Sequence, residues 1–303
     1  MRKRFSIAAG VATTLALLVL PSLASANPGT GPELVQRSGR LVVLHADRDD
    51  GTSSEQWQLV KGASHVDVHA PDDVWITPGT PVRLEGAMVG HTLELADSET
   101  AVTETGVAPM LAAADATAAA PAIRRTAVVI VTFGGGPPAT TNAAAGNVVN
   151  NDVNAYYQEQ TYGQLGFSDD VVYGPFAEPA TTDCTGTTNA SGPNGWANDA
   201  LRQVPSGYQD YVLVFPSTPS CNFSGQAEIG GDTVWINGPP TLRVLAHELG
   251  HNLGLGHAGG LACSGAPVSA SCSPPSVYGD PFDPMGGYSG PVRQMNMEHK
   301  LAL

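Results

Sequence analysis

The chain has 303 residues, of which 42% are hydrophobic and 14% charged, a composition ordinary for a globular protein with room for about two domains. Its formal net charge of −14 at pH 7 argues against nucleic acid as a partner, because a nucleic-acid-binding surface needs clustered basic residues. Surplus carboxylates could hold Ca²⁺, but no D-x-D-x-D-G loop supports a calcium site.

The first 26 residues have the pattern of a signal peptide. Residues 2–4 (Arg-Lys-Arg) form a basic region, an apolar run covers residues 7–20, and residues 24–26 (Ala-Ser-Ala) provide a small-residue cleavage site. A membrane anchor is the competing interpretation, but the apolar run is short for a span. We therefore expect a secreted, extracellular protein with no membrane partner, and we expect it to be a monomer.

Residues 27–106 alternate between short apolar–polar segments and breaks at Gly, Pro or Asp. The two-residue period of these segments is typical of strands. The pattern predicts a small all-β N-terminal module, an antiparallel barrel or sandwich. Its expected strands are residues 40–44, 56–60, 65–69, 82–86 and 91–95.

Residues 107–125 are rich in Ala, Thr and Pro and end in the dibasic pair Arg124-Arg125, which indicates a linker. We hypothesise that residues 27–106 are a propeptide and that cleavage near the dibasic pair converts a zymogen to its mature form. A permanent N-terminal domain is the alternative. Because the first cysteine is Cys184, a propeptide cysteine could not block a metal, and latency would need another ligand or occlusion of the cleft.

Residues 126–303 mix strand and helix patterns, and we predict that they form one catalytic domain. A buried strand and a Gly/Pro loop open this region, and the active-site helix follows its last predicted strand. The expected elements are a strand at 126–133, helices at 142–161 and 197–204, and strands at 210–215 and 231–236.

Residues 247–257 carry the sequence H-E-x-x-H-x-x-G-x-x-H, the pattern of a zinc metalloprotease. On a helix, His247 and His251 project from one face and can bind one zinc ion. Gly254 can end the helix so that the chain turns back and brings His257 to the metal as third ligand. Three neutral histidines leave a fourth position open, which is typical of catalytic zinc, and Glu248 is positioned to act on a water there.

The four cysteines are Cys184, Cys221, Cys263 and Cys272, and export makes disulfides the expected state. Three pairings are possible. We favour Cys263–Cys272, which would close a short Ser/Pro-rich loop, together with Cys184–Cys221.

Several segments of the chain from about Thr126 onwards resemble the secreted metzincins of the gametolysin/autolysin type. The resemblance is carried by residues 156–165, 234–238, 242–257, 280–285 and 296–301. It implies an α+β catalytic domain with a twisted mixed sheet and an active-site helix. It also implies a turn containing Met285 beneath the zinc histidines, and an edge strand near 231–236 along which an extended peptide substrate would pair. Where some metzincins carry a Tyr two residues after the Met, this chain has Gly287.

These features predict a secreted zinc endopeptidase that cleaves extracellular, cell-wall or matrix proteins, with Glu248 as general acid and base. One rival is a secreted zinc-binding domain without turnover that acts in adhesion or matrix binding. A zinc hydrolase acting on a non-peptide bond is the second rival.

Overall fold

Strands dominate the described part of the chain, which in this computed structural model comprises residues 33–48, 52–62, 64–70, 76, 78–96, 101–105, 122–168, 171–182, 184, 195–264, 271–272, 277–287 and 291–303. Outside these residues lie the predicted signal peptide and most of the predicted linker. Tyr288, the tyrosine that follows Gly287, also lies outside them. The strands are β1 Leu34–Asp47, β2 Ser53–Lys61, β3 Ser64–His69, β4 Pro81–Val89, β5 Thr92–Leu95, β6 Val102–Glu104, β7 Ala122–Phe133, β8 Leu165–Ser168, β9 Val172–Glu178, β10 Asp210–Phe215, β11 Gly225–Ile229 and β12 Thr233–Asn237. The helices are α1 Asn142–Asn147, α2 Asn154–Gln160, α3 Trp196–Leu201, α4 Leu242–Asn252 and α5 Met297–Ala302.

The described strands form one mixed sheet, in the order β6-β4-β5-β3-β2-β1-β11-β12-β10-β7-β8, with β9 also paired to β7. Strand β7 pairs in parallel with β8, β9 and β10, and β10 pairs in parallel with β12. Strand β11 runs antiparallel to β12. The predicted α+β class is therefore confirmed, while the metzincin-specific arrangement stays a prediction. Within the residues that the structure describes, no helix is long and apolar enough to cross a membrane.

The five strands expected between residues 40 and 95 are all present. Strands β1, β2, β3, β5 and β4 pair in that order, and β4 returns to pair with β1, so the strands close a ring. One pairing, β3 with β5, is parallel, where we expected antiparallel pairing throughout. The ring encloses a hydrophobic cluster that includes Leu41, Leu59 and Leu93.

The sheet does not stop at the boundary between the predicted module and the predicted catalytic domain. Strand β1 pairs with β2 on one edge and with β11 on the other, and residues 34–303 form a single compact unit. The N-terminal strands and the region around the histidine motif are therefore held together by backbone hydrogen bonds.

A helical segment from Asn142 to Gln160 packs against α4. It follows the predicted helix at 142–161, although residues 148–153 form a π-helical turn between α1 and α2. The fully buried hydroxyl of Tyr157 donates to the carbonyl oxygen of Ala246 in α4 at 2.8 Å. Leu245 and Leu249 of the same helix pack in a large buried hydrophobic cluster. This packing makes α4 a rigid support for the residues it carries.

Both favoured disulfides are present, Cys184–Cys221 and Cys263–Cys272. Disulfides persist in oxidising compartments, so this finding is compatible with an extracellular protein.

The dibasic pair differs from our expectation. Strand β7 begins at Ala122, so Arg124 and Arg125 lie inside a paired strand and not in an exposed linker. Arg124 donates to both carboxylate oxygens of Asp210, at 2.7 and 2.8 Å, and the Asp210 side chain is fully buried. Because a protease needs an accessible, extended chain, cleavage that leaves β7 intact must fall before Ala122.

Arg124→Ala should lower the free energy of unfolding by about 3–5 kcal/mol, because it leaves the buried Asp210 carboxylate unpaired. Arg125→Ala is the matched control: Arg125 is exposed and lies 4.8 Å from the centroid of the Tyr208 ring. This control should lose about 1 kcal/mol or less. Urea unfolding followed by tryptophan fluorescence measures both values, and equal losses in the two variants would contradict the assigned ion pair.

Candidate metal centre

Helix α4 carries the first half of the histidine motif, and its ends are defined by local sequence. The side chain of Thr241 accepts a hydrogen bond from the backbone N–H of Val244, which caps the start of the helix. At the other end Gly254 has a φ of +91°. Its N–H donates to the His251 carbonyl, and the next N–H, of Leu255, donates to the Gly250 carbonyl. These two bonds form a Schellman motif, which turns the chain back towards the helix as predicted.

The turn brings the three motif histidines together in a buried group. The centroids of the His247 and His251 rings lie 4.8 Å apart, and the His257 ring lies 5.3 and 5.0 Å from them. The Nε2 atoms of His247 and His251 are 3.1 Å apart. The His251 side chain is fully buried and that of His257 is 5% exposed, so water has little access to the rings.

Hydrogen bonds on the far side of two rings fix their tautomers. The Nδ1 atom of His247 lies 2.7 Å from the carbonyl oxygen of Pro284, and Nδ1 of His251 lies 2.9 Å from that of Leu255. Because a carbonyl oxygen only accepts, each Nδ1 must carry the hydrogen when the ring is neutral. Each Nε2 then presents a lone pair, and the lone pairs face one another across a short gap.

Burial also favours the neutral form of two of these rings. It lowers the pKa of His251 to about 3 and lowers the pKa of His257. Neutral imidazole is the form that binds metal ions. Two facing lone pairs at 3.1 Å repel each other unless a cation lies between them, so the group could hold a metal ion.

A fourth group, which the sequence analysis did not predict, completes the cluster. Asp47, the last residue of β1, places Oδ2 3.0 Å from His247 Nε2 and 3.5 Å from His251 Nε2, and Oδ1 3.0 Å from His257 Nε2. Within the described part of the chain, Asp47 Oδ2 and His257 Nε2 have no partner other than these contacts between carboxylate and rings. Asp47 thus lies close to all three motif histidines, and it belongs to both groups of side chains that could hold a metal ion, which are His45, Asp47, His251 and His257, and Asp47, His247 and Glu248.

Glu248 lies beside this cluster and is almost fully buried. Its Oε2 atom has no hydrogen-bond partner, and burial together with the charge of Asp47 raises its pKa well above the ordinary value. Gly225 leaves the space that the glutamate fills, since a Cβ at Gly225 would lie 2.3 Å from Glu248 Oε1. The sequence analysis missed this requirement for a residue without a side chain.

Met285 packs against helix α4, and its place beneath the metal ligands stays a prediction. It is fully buried, and a Cβ on Gly250 of α4 would lie 2.5 Å from its sulfur atom, so the methionine packs directly on the helix backbone. The residue before it, Pro284, supplies the carbonyl that orients His247. The turn therefore supports the helix and also positions one of its imidazoles.

Asp283 anchors this turn to the C-terminal part of the chain. One carboxylate oxygen accepts from the N–H of Met285 at 2.8 Å, and the other accepts from the N–H of Asn296 at 2.6 Å and lies 2.9 Å from His299 Nδ1. Burial alone would raise the pKa of Asp283, but these bonds outweigh it and hold the pKa below its ordinary value. We had not predicted a role for Asp283 or His299.

Two further side chains surround Asp47. The Tyr278 hydroxyl donates to Asp47 Oδ1, and its ring packs on His257 with centroids 4.0 Å apart. His45, which is 2% exposed, packs on the rings of His251 and His257 and lies 3.2 Å from Glu55. Neither residue was predicted, because each meets the site only through tertiary pairing.

No protein-family model matches this sequence, and no curated protein matches it either. The resemblance to metzincins therefore rests on the motif residues alone.

His251→Ala should abolish tight metal binding, because it removes one of three nitrogen donors and leaves the others poorly oriented. The exposed His91 provides the control, and His91→Ala should keep full metal content. Elemental analysis after zinc loading and dialysis measures both. Full occupancy in the His251 variant would contradict the assigned donor set.

Asp283→Asn should lower the free energy of unfolding at pH 7 by about 2–3 kcal/mol, since buried donors lose a charged acceptor. A carboxylate with a lowered pKa contributes stability above its unfolded-state pKa of about 3.9, and this contribution is lost as the pH falls. The difference between wild type and variant should therefore shrink between pH 7 and pH 3. Urea unfolding with a chelator present, so that metal loss does not contribute, tests this; a difference that stays constant with pH would contradict it.

Proposed function

We propose that this chain is the precursor of a secreted zinc-dependent endopeptidase. The observation that carries the proposal is the close approach of three imidazole rings, those of His247, His251 and His257, with Glu248 buried beside them. Zinc ligands at about 2.1 Å in a tetrahedral shell lie about 3.4 Å from one another, close to the 3.1 Å between the Nε2 atoms of His247 and His251. All-nitrogen donors suit zinc better than calcium, which prefers oxygen.

The chain's own residues define the mechanism. Bound zinc supplies Lewis acidity, which acidifies a water molecule and polarises a substrate carbonyl. His247, His251 and His257 would hold the ion, and the Pro284 and Leu255 carbonyls keep two of these rings in the binding tautomer. Glu248 takes the proton of the attacking water and delivers it to the nitrogen of the leaving amine. Gly225 leaves the room that this carboxylate needs.

The proposed substrate path runs along β11. We had expected the strand at 231–236 to border the cleft, but β12 lies between β11 and β10 and has no free edge. Strand β11 is the next strand towards the N-terminal half, and its Gly225 lies against Glu248. A peptide paired to the outer edge of β11 would pass beside the histidines, so β-strand addition is the binding mode we propose.

The rival function is a secreted zinc-binding domain that acts in adhesion or matrix binding without turnover. Asp47 favours it for the full chain, because a fourth protein ligand would close the coordination shell, and a closed shell is the mark of a structural site. Glu248 favours the peptidase, because a closed structural site has no use for a buried carboxylate without a partner.

Glu248→Gln should retain zinc and fold but lose about 10²–10⁴-fold in the rate of peptide hydrolysis, because it removes the general base. Glu159→Gln is the matched control, since Glu159 is exposed and pairs with Gln294 away from the site. Casein and a quenched fluorescent peptide serve as substrates for protein cleaved between β6 and β7, with and without chelator. An unchanged rate in the Glu248 variant would contradict the mechanism, and hydrolysis that survives the chelator would contradict zinc dependence.

A further inference from the structure

We propose that Asp47 is a fourth protein ligand of the metal and that β1 occupies the substrate path, so that the full chain is held inactive by its own N-terminal region. This inference rests on the proposed function and names how that function is controlled. Because no cysteine precedes Cys184, latency needs another ligand, and we assign that role to the Asp47 carboxylate.

The position of Asp47 among the donors is the first support. Its two oxygens lie 3.0 Å from the Nε2 atoms of His247 and His257, on the side of the rings where the lone pairs converge. An ion bound by three imidazoles and this carboxylate has the four ligands of a closed tetrahedral zinc site. Such a shell leaves no place for the water on which Glu248 would act.

Strand pairing is the second support. Residues Val43 to Asp47 pair antiparallel with Gly225 to Ile229 and so satisfy the edge of β11 along which a substrate would pair. In this register Asp47 is directly opposite Gly225, the residue that packs on Glu248. The strand therefore presents a carboxylate at the place where we expect the scissile peptide of a substrate.

Asp47 is also held firmly in place. The other edge of β1 pairs with β2 over residues Arg40 to Asp47, so this strand cannot leave β11 alone while the ring of strands stays intact. Leu44, which is 3% exposed, packs in the same hydrophobic cluster as Trp196 and Phe223. The Tyr278 hydroxyl adds a hydrogen bond to the carboxylate itself. Release of the site thus requires that the whole N-terminal ring separates, which cleavage of the chain between β6 and β7 would allow.

The test uses the full chain loaded with Co²⁺, whose visible spectrum reports the ligands of the ion. The decisive variant is Asp47→Asn, and Asp67→Asn is the control, because Asp67 lies in the same ring of strands and its carboxylate accepts hydrogen bonds from Gln56 and Gln58. Acetohydroxamate, which needs an open metal position but no pairing to β11, is titrated into each protein. An attached ligand competes at an effective concentration of about millimolar, so loss of Asp47 should tighten hydroxamate binding by roughly 10²-fold.

The account expects a changed Co²⁺ spectrum and tighter hydroxamate binding in the Asp47 variant alone, whereas peptide hydrolysis still requires cleavage of the chain, because β1 continues to cover β11. An unchanged spectrum and unchanged hydroxamate affinity would overturn the proposal. A changed spectrum with no hydrolysis, either by this variant or by wild type, after cleavage between β6 and β7 would support the ligand and reject the peptidase function. Wild type provides a measurement that needs no variant: if the uncleaved protein binds the hydroxamate as tightly as the cleaved protein does, Asp47 does not block the metal.

Discussion

The structure around the site depends on one electrostatic constraint. The Nδ1 atoms of His247 and His251 face carbonyl oxygens, so the Nε2 atoms of the two rings face each other at 3.1 Å, and two lone pairs at this distance repel unless a cation lies between them. Burial strengthens the constraint, because it disfavours the protonated rings that could otherwise relieve the repulsion. The surrounding helix, turns and strand hold the imidazole rings in this arrangement.

Those supports come from distant parts of the chain. Helix α4 sets two imidazoles one turn apart, the Schellman turn at Gly254 returns the third, and the turn at Met285 both packs under the helix and orients His247. Asp283 ties that turn to the C-terminal segment. Strand β1 then closes the group from the opposite side with Asp47. The same strand that completes the metal cluster also covers β11, so metal coordination and access to the substrate path are coupled through one backbone segment.

The sequence predicted the parts of this site that local rules determine. The i, i+4 spacing of histidines on a helix identified His247 and His251. The glycine at position 254, which can adopt a positive φ, identified the turn that ends the helix. Alternation of apolar and polar residues identified the strands of the N-terminal ring. The residues it missed, Asp47 and Gly225, meet only because β1 pairs with β11 across a long sequence separation. Strand β11 is short, and its apolar and polar residues alternate only weakly. The sequence therefore predicted neither this strand nor the strand with which it pairs. Arg124 was assigned to a linker because its neighbours are small and polar, whereas its ion pair with the buried Asp210 makes it part of the sheet.

Anomalous diffraction at the zinc absorption edge, from crystals of the full chain grown with zinc, tests the central claim most directly. The account predicts a single strong peak about 2.0–2.1 Å from Nε2 of each of His247, His251 and His257. It would be contradicted by the three rings splayed apart with no peak among them, or by zinc bound only at residues elsewhere on the chain.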